Sequence, residues 1–207
     1  MSFLAKRFTI AFQLSSVQRF SRDFMQKPEN VLEHIGFCTF YATLLAKKAE
    51  AAGIKVDYAA LMTAVMAHDI DESVLGDMPR STKYLTPQIR SSVARAEEIV
   101  VGKISDWLGT NLSPAWFNAK VGLEGEILKL SDIAAVVYKN WVEVEMLNNR
   151  SFLRVCLETL GYIESIERED YSFVFADEIE ELKTMVRMIL NKHAPTDADE
   201  LFLHVRK

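Results

Sequence analysis

Across Met62–Glu72 an apolar run ends in His68, Asp69, Asp71 and Glu72. A segment suited to burial cannot carry four such groups unpaired, because a buried polar or charged side chain without a partner is expensive. They must share a metal, a substrate or one another. A His-Asp pair is by itself too common to identify a site, and the distant partners decide the matter. Upstream, Pro28–His34 brings His34 to the mouth of a helical pattern; downstream, Leu128–Ala135 places Asp132 inside another. Two imidazoles and two carboxylates suit a divalent ion such as Co, Mn, Mg, Zn or Fe. Four protein ligands leave open positions on a five- or six-coordinate ion, where a bound water is acidified and a phosphoryl oxygen can be polarised. Glu72 and Asp77 then become candidates for orienting that water or protonating a leaving oxygen. The alternative is a hydrogen-bonded acid cluster that caps a core helix.

The elements that must position these groups read as helices. Residues 1–16 form a first amphipathic segment. Arg19 and Arg22 follow three apart, a spacing that puts both on one side of a helix or tight turn; they are either a solvated basic edge or a phosphate clamp. Asn30 with Glu33 three residues on is a capping-box pattern, and the helix it opens runs to Ala52-Gly53. Asp57 caps a near-continuously apolar helix from Tyr58 to about Asp71. If that helix persists, His68, Asp69 and Glu72 face roughly the same way. Gly76-Asp77-Met78-Pro79 breaks it, and Arg80–Leu85 reads as a basic loop suited to an anion.

Thr86-Pro87 opens a helix over 88–108 that stops at Gly109, and Ser113-Pro114 repeats the signature for a short segment. A long helix runs from about Glu124 to Asn148-Asn149, with Asp132 on or near its apolar stripe. Residues 152–166 and 179–190 give two further amphipathic helices. The aromatic run Tyr171–Phe175 reads as a packed connector. His193 and His204 show no ligand-like pairing.

The 207 residues, 49% hydrophobic and 26% charged, describe a folded protein with one substantial core, expected to be a single domain over 1–207. A net charge of −5 without a basic block argues against nucleic-acid polymers as partners but leaves room for a small anion in a locally basic pocket. Cys38 and Cys156 lack CxxC pairing and read as buried free thiols of a cytoplasmic protein. No run is long enough to span a membrane.

His34, His68-Asp69 and Asp132 resemble the HD-domain metal-dependent phosphohydrolases. More narrowly, Arg19, Glu29-Asn30-Val31-x-Glu33-His34, His68-Asp69-x-x-Glu72, Gly76-Asp77-Met78-Pro79, Lys83-Tyr84 and Lys129-x-x-Asp132 are similar in order and spacing to the bacterial YfbR-type 5'-deoxynucleotidases, over roughly residues 15–145. The resemblance implies an all-α, single-domain HD-type helical bundle with C-terminal helices over about 150–192, and a homodimer. It also implies release of phosphate from 2'-deoxynucleoside 5'-phosphates with a divalent metal such as cobalt or manganese.

On this resemblance His34, His68, Asp69 and Asp132 hold the metal, Glu72 and Asp77 assist the chemistry, and Arg19 with Lys83 holds phosphate. Two positions depart from the family pattern: Phe20 stands where Trp is usual, and Arg80-Ser81 where a Thr-Pro pair is. Both flank the expected phosphate and base pockets, and an extra arginine suits the longer phosphate chain cleaved by related phage-type deoxynucleoside triphosphohydrolases, including ones acting on dATP. An idle nucleotide-binding module and a phosphodiesterase are the remaining alternatives.

Overall fold

The computed structural model describes residues 3–166 and 172–193; Tyr171 and His204 lie outside the described residues. Within them the chain is all-helical, its one strand-like feature an isolated antiparallel bridge between Gln18 and Asn30. The chain divides into two compact units, one from residues up to Arg22 and Pro28–Asp132, the other from Asp23–Lys27 and residues from Ile133 onward.

In the first unit, helix α1 (Phe3–Ser16) gives way to the bridge, and α2 (Val31–Ala51) starts at Asn30. The capping box forms as expected: the Asn30 side chain accepts from the Glu33 amide at 3.0 Å, and Glu33 accepts from the Asn30 amide at 3.0 Å. Helix α3 (Tyr58–Ala67) starts at Asp57, whose carboxylate accepts from the Ala60 amide. Two short helices follow, α4 (Glu72–Leu75) and α5 (Arg80–Lys83). Then come α6 (Pro87–Leu108), closed by Gly109 in the left-handed region, α7 (Ser113–Asn118) and α8 (Gly122–Asn140). Ile10 and Leu14 of α1, Val31 and Ile35 of α2, Ile70, Val100, Val101 and Ile104 of α6, and Trp116 of α7 form one buried cluster. Each aliphatic side chain so buried is worth roughly 1.5–3 kcal/mol, enough to fix the helix that carries it.

Two expectations are corrected here. The helix from Tyr58 stops at Ala67 instead of reaching Asp71. The Val65 carbonyl that a continuing helix would offer to the Asp69 amide accepts from His68 Nδ1 at 2.7 Å, and three-residue turns carry the chain into α4. His68, Asp69 and Glu72 are therefore brought together by a turn, not by one helix face. The stretch after Pro79 is the helical turn α5 rather than a loop.

In the second unit α8 passes into a wider π-helical turn over Trp141–Met146, where the Leu147 amide donates to the Val142 carbonyl five residues back. The long helix is thus shorter than its apolar pattern suggested. Glu143, fully buried, explains the turn: it accepts from the amides of Gln26 and Lys27, both at 2.9 Å, from Asn149 Nδ2 at 2.7 Å and from Lys139 Nζ at 2.8 Å. Helices α9 (Leu153–Ile166) and α10 (Ala176–His193) complete the unit, and Ser172–Phe175 is a 3₁₀ turn, a connector rather than a strand.

Candidate active site

The site lies in the first unit. His34 sits in the first turn of α2 and Cys38 one turn later, both fully buried. Arg19 is pinned against this helix by the bridge, in which its amide donates to the Glu29 carbonyl at 2.9 Å and the Val31 amide donates to the Val17 carbonyl at 3.0 Å. His68 and Asp69 come from the turn after α3, and Asp132 from the middle of α8.

His34 Nε2 is the point of convergence. It is 3.0 Å from Asp132 Oδ1, 3.3 Å from Cys38 Sγ and 3.7 Å from Asp69 Oδ2. His68 Nε2 is 3.2 Å from Asp69 Oδ2, and Arg19 Nη1 donates to that same oxygen at 3.2 Å. One atom each from His34, Cys38, His68 and Asp132 forms a set whose members all lie within 4.8 Å of one another, a grouping that can hold a metal ion.

The electrostatics follow from burial and mutual contact. Burial disfavours charge on Arg19, but Asp69, Asp132, Glu72 and Asp77 outweigh it and hold the guanidinium charged. Burial also opposes ionisation of Asp69 and Asp132, yet His68 in the first case and the hydrogen bond from His34 in the second hold both carboxyls below their usual range. Burial and Arg19 lower the His34 pKa; His68 is raised despite burial, chiefly by Asp69. Glu72 behaves differently: burial, then Asp69, pushes its carboxyl up to about 10. Its Oε2, the Nε of Arg19 and the Nε2 of His68 are buried without a hydrogen-bond partner. Native interiors rarely leave such atoms without a protein, water or ion partner.

The sequence profile of the "5'-deoxynucleotidase YfbR-like" family matches residues 6–182. The chain belongs to this family. Solved structures agree on the fold: a protein from Pyrococcus horikoshii matches with a TM-score of 0.75 at 18% identity over 88% of this chain and 99% of its own. A conserved hypothetical protein from Pyrococcus furiosus gives 0.72 at 19% identity, over 87% and 99%. An HD-domain phosphohydrolase from Listeria innocua gives 0.62 at 23% identity, over 91% and 99%. A search of curated proteins found no match. Over its described residues this member of the 5'-deoxynucleotidase family is all-helical and shares its fold with an HD-domain phosphohydrolase structure.

Against this deoxynucleotidase background, the residues singled out by spacing fall into two groups. His34, His68, Asp69, Asp132, Arg19 and Glu72 come together. Asp77 has a structural engagement: its Oδ2 accepts from the Phe20 amide at 2.9 Å. Phe20 adopts φ 53°, unusual for a side chain of that size, so this carboxylate stabilises a strained turn that aims Arg19. The Arg19 guanidinium lies 5.4 Å from the centre of the Phe20 ring.

Lys83 forms an ion pair with buried Glu97 on α6, and Arg80 stacks over Tyr84 at 4.6 Å, with Arg90 4.7 Å from the same ring. Arg22 donates to Ser81 and Thr82 on α5. His193 pairs with Glu145 in the second unit. Two site residues went unassigned in the sequence. Cys38 is the buried free thiol that its sequence setting suggests, but its spacing four residues past His34, which puts both on one helix face, went unused. Buried Glu29, 3.6 Å from Arg19 Nε and 3.9 Å from His34 Nδ1, was seen only as part of a motif.

Proposed function

We propose that this chain is a metal-dependent phosphomonoesterase that releases phosphate from 2'-deoxynucleoside 5'-monophosphates, working as one HD domain. One juxtaposition supports the reading: a buried, permanently charged guanidinium, that of Arg19, lies against the carboxylate that also faces His68 and His34. A divalent ion suits the cluster. Because His68 Nδ1 donates to a backbone carbonyl, Nε2 is the ring nitrogen left to face the Asp69 carboxylate, at 3.2 Å. A metal ion can take the place of the proton that such a nitrogen and carboxylate share, and His34, His68, Asp69 and Asp132 are the residues that would hold it. When bound, such an ion acidifies a water and polarises a phosphoryl oxygen.

The chain's own groups do the rest in this reading. Arg19 offers its fork of donors to the remaining phosphate oxygens. Glu72 keeps a proton at neutral pH and delivers it to the departing 5' oxygen. Asp77 acts as a positioning residue through Phe20, whose ring is a surface for the sugar or base. The homodimer implied by the family resemblance belongs to the same proposal, and the exposed apolar residues Leu4, Phe8 and Phe12 along α1 are compatible with it. Among the described residues no helix is long and apolar enough to cross a membrane, in keeping with a cytoplasmic enzyme.

A second reading, hydrolysis of deoxynucleoside triphosphates, is favoured by one observation: Arg22, Arg80 and Arg90 all engage α5 or Tyr84 just beyond it, more cation than a monophosphate needs. A phosphate-release panel of deoxynucleoside mono- and triphosphates, with Mn or Co added, separates the two. Release from monophosphates supports the first reading, and release confined to triphosphates the second. No release with any metal would leave an idle nucleotide-binding module, and two ions per chain would point to a phosphodiesterase.

A further inference from the structure

We propose that Cys38 is a sulfur ligand of the metal centre, a thiolate donor added to His34, His68, Asp69 and Asp132. The inference rests on the metal site of the preceding reading and adds to it a donor outside the two-imidazole, two-carboxylate set. Its geometric basis is the crowding at His34 Nε2. That nitrogen has either one hydrogen or one lone pair, and it faces Asp132 Oδ1 at 3.0 Å and Cys38 Sγ at 3.3 Å, with Asp69 Oδ2 farther off at 3.7 Å. At most one of these contacts can be a hydrogen bond made by the nitrogen's own proton. His68 Nε2, buried without a hydrogen-bond partner and 3.2 Å from Asp69 Oδ2, belongs to the same set.

A cation among these atoms satisfies all of them. Donors bonded to one ion at about 2.0–2.3 Å sit roughly 3–4 Å from one another. The Sγ–Nε2 and Oδ1–Nε2 distances fall in that interval, and the set as a whole lies within 4.8 Å.

Placement on the helix makes the arrangement specific. His34 and Cys38 are one turn apart on the buried face of α2, and residues so spaced are neighbours. A cysteine there as mere packing would present its sulfur to aliphatic groups; this one presents it to two imidazoles. On joining the ion the thiol loses its proton to solvent, forming one metal–sulfur bond with no change of oxidation state. A thiolate shifts preference toward Zn, Co or Fe and away from Mg and Mn, which favour oxygen.

The test is the near-ultraviolet and visible spectrum of the full chain loaded with Co(II), alongside the stoichiometry of bound cobalt. The inference expects a thiolate-to-cobalt charge-transfer band in the wild-type chain, kept in Cys156→Ser and lost in both Cys38→Ser and Cys38→Ala. Circular dichroism verifies that these variants fold, and the alanine, the better helix former, guards against a serine-specific defect. Affinity for Zn should fall by about 10–100-fold in the Cys38 variants, and affinity for Mn by much less. Cobalt bound at one per chain without a sulfur band, or a band that survives both Cys38 variants, would overturn this inference and leave the metal site standing. No bound cobalt would overturn both.

Discussion

Two clusters of buried charge, one in each unit, are built from similar residues and end differently. Around Glu143 every oxygen is satisfied: two backbone amides, the Asn149 side chain and the Lys139 ammonium converge on one carboxylate, and Lys139 also donates to the Lys27 carbonyl. Around His34 the accounts stay open. Of the four buried side-chain atoms without a hydrogen-bond partner among the described residues, three belong to Arg19, His68 and Glu72. A closed network specifies structure, whereas an open one at the same depth stores free energy that a ligand can release. On this comparison the Glu143 cluster is expected to serve stability and the His34 cluster the proposed chemistry. Substitutions in the two should separate activity from stability.

The largest effect is expected at Asp69. Asp69→Ala removes the carboxylate shared by His68, His34 and Arg19, and turnover should fall by ~10³-fold or more, the scale of losing a major electrostatic group at a reacting centre. Metal binding, followed by calorimetric titration, should be lost with it while helical content is retained. Full activity in a metal-free Asp69→Ala protein would break the comparison at once. Glu72→Gln comes next: it keeps the shape and removes the transferable proton, and should lower kcat by roughly 10²–10⁴-fold with one ion still bound per chain.

At the closed cluster the readout changes. Glu143→Ala strands Lys139 in the interior and should cost about 3–5 kcal/mol in denaturant unfolding, with metal stoichiometry per folded chain unchanged. The acid limb of stability sharpens this. Burial opposes the Glu143 charge, but Lys139, Asn149 and the two amides hold its carboxyl down at about 2. A depressed folded-state pKa contributes stability that is complete above the ordinary glutamate range and is lost as pH falls toward 2. Glu143→Gln should flatten that limb; an unchanged limb would deny the cluster its structural role. The smallest effect is expected at the rim, where Arg80→Ala should alter monophosphate turnover by no more than about fivefold, since an exposed charge contact is worth under about 1 kcal/mol. A larger loss on triphosphates would identify Arg80 as a reader of chain length, and equal losses would exclude it.

The helices were legible because their signals are local. The Asn30–Glu33 box, the Asp57 cap, Thr86-Pro87 and the left-handed Gly109 stand in the structure where their sequence patterns put them. What ended α3 was less visible, because a ring nitrogen of His68 takes the Val65 carbonyl and no propensity describes that competition. The gathering of His34, His68-Asp69 and Asp132 followed from spacing and family pattern. Cys38 did not, since one apolar-like residue on a buried helix face looks the same whether its neighbour is a leucine or an imidazole. Nor did the engagements of Asp77 with Phe20 and of Lys83 with Glu97, which join residues 57 and 14 positions apart through tertiary packing alone.

The central claim, that the open cluster is the metal centre of a phosphohydrolase, is tested most directly by titrating the chelator-treated chain with Mn(II) or Co(II) while phosphate release from a deoxynucleoside 5'-monophosphate is followed. The account predicts no release at the start, a linear rise, and a break at one ion per chain that is absent in His68→Ala. Undiminished release from the metal-free chain, or a titration that His68→Ala leaves unchanged, would contradict it.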